Sequence, residues 1–188
     1  MSLLPVRVLG DPILRRIADP VRGIDDDLRR LVDNMFETMY AAKGIGLAAP
    51  QVGVNARLFV TDVAGARYAL INPELVTAEG PLELGEEGCL SIPEIFGDIR
   101  RPAQVRMSGT TLGGDLITVD ATELLGRCML HELDHLNGRL FIDHLSFLKR
   151  RRALSDWAAR ESDFPGHVRL LTPGDPGDPD REPATGKL

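Results

Sequence analysis

Leu130-His131-Glu132-Leu133-Asp134-His135-Leu136-Asn137-Gly138 is the stretch around which the chain is organised. His131 and His135 are four residues apart, and an α-helix places such a pair on one face, one turn apart. Two neutral imidazoles so placed can hold one divalent metal ion. Glu132, not needed as a ligand, is left free to take a proton from a metal-bound water. The bland alternative is a solvated helix with two surface histidines. With 4 His and 11 Glu in 188 residues, about 0.005 His-Glu-x-x-His matches are expected by chance.

The flanking residues predict the helix that this spacing needs. Residues 120–137 read as helical, with Asp120 or Thr122 as the cap and Gly138 as the stop. Taking 100° per residue, Leu124, Cys128, His131 and His135 fall within about 60° of one another. The histidines are therefore expected to face inward among apolar side chains, with Glu132 on the shoulder of the same stripe.

Two histidines leave a catalytic site short of its usual third protein ligand. Cys128 shares the face but lies seven residues before His135, about 10 Å along the axis, so it reads as a core thiol. Cys89, in Gly88-Cys89-Leu90, carries no such constraint. With His131 and His135 it would make a set soft enough for zinc or ferrous iron; the competing reading is a buried strand cysteine.

Further out, residues 25–43 predict a first helix. Leu28, Leu31, Val32, Met35 and Met39 recur at helical spacing behind Asp25-Asp26-Asp27, and Gly44 stops it. Gly44-Ile45-Gly46-Leu47-Ala48-Ala49-Pro50-Gln51-Val52-Gly53 follows a helix and runs into proline, so it is not a dinucleotide loop. It is either backbone kept bare for close approach or a plain tight connection. Short strands are expected at residues 58–60, 68–71 and 75–77, an acidic loop at 83–87, and a hairpin turning at Gly113-Gly114. A last helix is expected over residues 143–160, begun or interrupted near Ser146 and carrying Lys149-Arg150-Arg151-Arg152. Residues 1–163 read as a single catalytic domain. Residues 164–188, rich in Pro, Gly and Asp, are expected to have no fold of their own and to order only if something packs on them.

A net charge of −6 and pI near 5.2 argue against a broad nucleic-acid face. No apolar stretch reaches membrane length. The residues from Met1 to Arg7 carry no secretory pattern, and two cysteines are too few for a disulfide framework, so a reducing cytoplasm is expected.

Three segments stand together: Gly44-Ile45-Gly46-Leu47-Ala48-Ala49-Pro50-Gln51, Glu87-Gly88-Cys89-Leu90-Ser91 and His131-Glu132-Leu133-Asp134-His135. In this order and spacing they resemble the signature motifs of peptide deformylase, a likeness that runs from about Leu4 to Leu148. The resemblance implies an α+β fold, with antiparallel strands packed around a central helix that carries the His-Glu-x-x-His motif. It implies removal of the N-formyl group from the first methionine of nascent proteins. Carried over residue by residue, it makes Cys89, His131 and His135 ligands of one divalent ion, with Fe(2+) favoured and Zn(2+), Ni(2+) or Co(2+) as alternatives. Glu132 would be general base and acid. Gln51 and the Leu90 backbone N–H would stabilise the oxyanion, and Ile45 and Gly46 would pair with the peptide backbone. The implied partners are nascent N-formyl-methionyl peptides and, through the basic C-terminal helix, the ribosome; no DNA or membrane partner is expected.

The chain departs from the family pattern at Leu130, where Gln is common, and at Phe96, where some members carry an Arg thought to help hold substrate; Arg100 and Arg101 come further on. Two rival readings remain at this level. One is a metallopeptidase that takes its third ligand downstream, from His144 or Glu161. The other is a catalytically weak homologue that binds peptide N-termini.

Overall fold

The computed structural model describes residues 2–172. The chain begins with a short strand, β1 (Val6–Arg7), and a 3-10 turn at Pro12–Arg15. Helix α1 (Asp26–Ala41) follows. The Asp25 side chain accepts a hydrogen bond from the Leu28 N–H at 2.8 Å, and Asp26 and Asp27 sit in the positive first turn. Its buried face is Val32, Met35, Phe36 and Met39, the stripe expected from periodicity. It ends earlier than expected because the chain turns left-handed at Lys43, with φ of 59°.

Five strands then build one antiparallel sheet: β2 (Gly46–Ala48), β3 (Leu58–Val63), β4 (Ala66–Cys89), β5 (Ile92–Thr110) and β6 (Leu116–Thr122), in that spatial order. The separate short strands expected at 68–71 and 75–77 are parts of one strand. The turn-forming pairs Asn72-Pro73 and Gly80-Pro81 appear as irregularities inside β4, where the pairing with β5 shifts between Ile71 and Glu74 and between Glu79 and Leu82. The acidic loop expected at 83–87 is not a loop. Glu83 pairs with Arg101, Leu84 with Arg100 and Glu87 with Gly97 across the ladder. Opposite charges across strands, and a partnered Glu87, let an acidic run lie in a sheet. The hairpin at Gly113-Gly114 forms as expected, with Gly114 at φ 91° and the Thr111 N–H donating to the Asp115 carbonyl at 2.9 Å.

Helix α2 (Glu123–Leu136) starts after Thr122, whose side chain makes no capping bond, and stops at Gly138, where φ is 69°. It buries Cys128, Met129, Leu130, His131, Glu132, Leu133, His135 and Leu136, and it packs against β2, β3, β5 and β6. The architecture is α+β, with α2 at its centre. Among the described residues no helix is long and apolar enough to cross a membrane.

A 3-10 turn at Phe141–His144 precedes α3 (Phe147–Ala158), so the last helix begins just after Ser146. The tail expected from residue 164 is structured at its start. Phe164 stacks on Trp157 at 5.5 Å between ring centroids, and β7 (Val168–Arg169) pairs antiparallel with β1, Val6 facing Arg169. The partner that orders it is the N-terminal arm, whose Val8 N–H donates to the His167 carbonyl. Residues 173–188 lie outside the described residues.

Asp143 ties these parts together. It meets Arg15 at 2.5 Å and Arg150 at 3.0 Å, and accepts the Leu140 N–H at 2.9 Å. Burial pushes its carboxyl upward, but these hydrogen bonds outweigh burial and hold it below the ordinary range. Its contribution to stability is thus complete above the unfolded value near 3.9 and is lost as pH falls through the lower folded value. Asp143→Asn should lower the melting temperature at neutral pH and flatten its decline below about pH 4. Melting curves across pH for both proteins check this; equal acid slopes would count against it.

Candidate active site

Cys89 is the last residue of β4, followed by the two-residue turn Leu90-Ser91 and then Ile92, its cross-strand partner. This tight turn carries the cysteine over α2. The ligand atoms of Cys89, His131 and His135 all lie within 4.8 Å of one another, and all three residues are buried. Cys89 Sγ is 3.2 Å from His135 Nε2, and the two imidazoles meet edge-on with centroids 5.0 Å apart.

The donor set fits a divalent ion of borderline softness. Burial holds His135 well below the usual imidazole range, so it is neutral, and its buried Nδ1 has no hydrogen-bond partner among the described residues. Burial pushes the Cys89 thiol up to about 12, so a bound ion must displace its proton. His131 is oriented by Glu87, whose Oε2 is 3.1 Å from Nδ1. Burial works against Glu87's charge. Hydrogen bonds from His131 and Arg101 overcome it and hold the carboxyl far below the ordinary range. A carboxylate only accepts, so Nδ1 donates and Nε2 is left with its lone pair for an ion.

Glu87 is the functional residue that motif reading passed over. It receives Arg101 Nε at 2.9 Å and Arg127 Nη1 at 3.0 Å, and Arg101 continues to Asp134 at 2.7 Å. His144 Nε2 meets the same Asp134 oxygen at 2.7 Å. His144 is thereby committed outside the ligand cluster, and Glu161 lies 3.7 Å from His167 on the surface. The downstream third ligand of a metallopeptidase is not supplied by either. Leu130 points into the core with Phe59, Leu70 and Met129, so support for His131 comes from Glu87 and not from that position.

Glu132 is 2% exposed and its Oε2 has no hydrogen-bond partner among the described residues. Burial, with Glu87 nearby, pushes its carboxyl well above the ordinary range. A Cβ added to Gly46 would collide with Glu132 Oε1 and come within 2.8 Å of Cys128 Sγ. The bare glycine is therefore a close approach of β2 to α2. Cys128 is fully buried and its thiol donates to the Ile45 carbonyl at 3.5 Å, as befits a core residue. Gln51 is 1% exposed. Its Oε1 accepts the Ala48 N–H at 2.8 Å, which turns Nε2 toward Ser91 Oγ at 3.2 Å and Cys89 Sγ at 3.5 Å. Phe96 is 41% exposed, Arg100 is exposed, and Arg101 is consumed by Glu87 and Asp134.

Residues 3–151 match the family model for polypeptide deformylase. The chain belongs to the polypeptide deformylase family. A peptide deformylase of Alkalilimnicola ehrlichii is 50% identical over 156 residues, covering 81% of this chain and 87% of that one. One of Parafrankia is 47% identical over 165 residues, covering 87% and 89%. Among solved deformylase structures, that of Legionella pneumophila superposes with a TM-score of 0.81 at 39% identity, covering 86% of this chain and 96% of that chain. The Synechococcus elongatus deformylase, solved in complex with actinonin, gives 0.79 at 45% identity over 82% and 86%. Deformylases are hydrolases, and the Cys-His-His cluster accords with a metal-dependent one.

Proposed function

We propose that this chain removes the N-formyl group from the N-terminal formyl-methionine of nascent polypeptides, in the cytoplasm. The observation that carries the reading is the buried Cys89, His131 and His135 cluster with the buried Glu132 carboxyl beside it, whose Oε2 has no hydrogen-bond partner among the described residues. Cys89, His131 and His135 would hold one divalent ion, Fe(2+) in preference to Zn(2+), Ni(2+) or Co(2+). Such an ion supplies Lewis acidity and lowers the pKa of a bound water to about 7, which a poor electrophile such as a formamide requires.

The remaining work falls to protein groups. Glu132, its pKa raised by burial, takes a proton from the attacking water and returns one to the leaving amine. Gln51 Nε2, fixed through its own carbonyl, is aimed beside Cys89 where the oxyanion would develop, and the Leu90 N–H in the adjoining turn would be the second donor. Strand β2 lies at the sheet edge, so an extended peptide can pair beside Ile45 and Gly46. In α3, Lys149, Arg150 and Arg152 have carboxylate partners at Asp98, Asp143 and Asp156. A ribosome contact would therefore draw on Arg151 and the exposed Phe147 and Leu148.

The direct test is hydrolysis of formyl-Met-Ala-Ser by protein purified without air, with metal counted on the same sample. Turnover that is lost on chelation is expected; a metal-loaded protein that leaves the peptide intact would reject the function. Gln51→Ala should lower kcat by about 10²–10³ with metal content unchanged. An undiminished rate would remove Gln51 from the oxyanion site.

A further inference from the structure

A cavity of about 240 Å³ opens beside the catalytic turn, lined by Cys89 and Leu90, by Phe96 and Phe164, and by two cations, Lys43 and Arg169. The cations come from places unrelated in sequence. Lys43 is the left-handed residue after α1. Arg169 ends β7, beyond the stretch that matches the family model, and is set by the pairing of its backbone with Val6. Among the described residues neither Lys43 nor Arg169 takes part in an ion pair. Glu94 also lines the cavity but is engaged by Arg160. The mouth of the site thus presents two positive charges that have no ion-pair partner among the described residues, set against aromatic walls, an arrangement that focuses a field on an incoming anion.

We propose that Lys43 and Arg169 form a cationic rim that favours formylated chains with an acidic side chain at the second or third residue. The inference rests on the deformylase reading above. With the formyl group beside Cys89, the residues after the methionine are the part of an extended substrate that leaves through this mouth, at about 3.3 Å per residue. Charge here acts on capture, so its effect belongs in KM and in salt dependence more than in kcat.

The test uses metal-loaded enzyme and amide-capped peptides, which carry no terminal carboxylate: formyl-Met-Ala-Glu amide against its Gln analogue, and formyl-Met-Glu-Ala amide against its Gln analogue. The Glu peptide of at least one pair should show a kcat/KM about fivefold higher at low salt, carried by KM and shrinking as ionic strength rises. Arg169→Gln combined with Lys43→Gln should bring the ratio to about one, Arg169→Glu combined with Lys43→Gln should push it below one, and Arg169→Lys alone should keep it near the native value. These side chains lie on the surface or half-buried, and β7 is held by its backbone, so folding is not at issue. Equal rates for Glu and Gln peptides in both pairs, or a ratio that survives the double substitution, would overturn the rim while leaving the deformylase function standing. No turnover of any peptide would remove the function and the rim together.

Discussion

Glu132→Gln should abolish most turnover, by about 10²–10⁴, while the protein keeps its metal. Glutamine has nearly the same shape, so it fits the space between α2 and Gly46 without a cavity. It cannot accept the proton that the attacking water must lose. The same substitution should leave the melting temperature unchanged or raise it, because it replaces a 2%-exposed carboxyl whose Oε2 lacks a partner among the described residues. Activity and stability would then move in opposite directions, which a structural role for Glu132 does not allow. Rates on formyl-Met-Ala-Ser, metal counts and melting curves on one preparation read all three quantities. A normal rate in the variant excludes Glu132 as the proton carrier.

Cys89→Ala should remove both activity and stoichiometric metal. The remaining ligands would be two imidazoles on one helix, and the loss in affinity should exceed the roughly 10–100-fold that follows damage to an outer-sphere group. Metal bound to the folded state stabilises it, so a chelator should lower the melting temperature of the native protein and leave the variant unmoved. A Cys89→Ala protein that retains one tightly held ion per chain would show that the third ligand lies elsewhere. Neither His144 nor Glu161 is placed to be that ligand.

What could be read from the residues divides by distance along the chain. The two histidines and Glu132 belong to one helix, so a period of 3.6 places them together and inward. The separation of Cys128 from His135 on the same helix is enough to set that thiol aside, and it lies in the core. Cys89 is different: only the long β4–β5 hairpin brings it over α2, and no local spacing encodes that path. The roles proposed for Gln51, Leu90, Ile45 and Gly46 come from family resemblance alone, because a side-chain amide or a backbone N–H carries no local pattern that marks it as a donor to substrate. Glu87 went unread for a related reason. An acidic run looks solvated until Arg101 arrives from the facing strand and Arg127 from the helix, and those three charges are not neighbours in sequence. The Val168–Arg169 pairing failed the same way: a two-residue strand has no pattern of its own, only a partner at the other end of the domain.

That pairing also sets a clock on the enzyme's own birth. Val6 and Arg7 are made about 160 residues before Val168 and Arg169, the strand that closes on them. At about 5–20 residues per second, the early arm waits on the order of ten seconds or more for its mate. Both histidines and Cys89 are synthesised well before then, so the metal pocket can assemble while the wall bearing Phe164 and Arg169 is still to come. A protein that edits the beginnings of other chains thus finishes its own doorway only after its metal pocket is made.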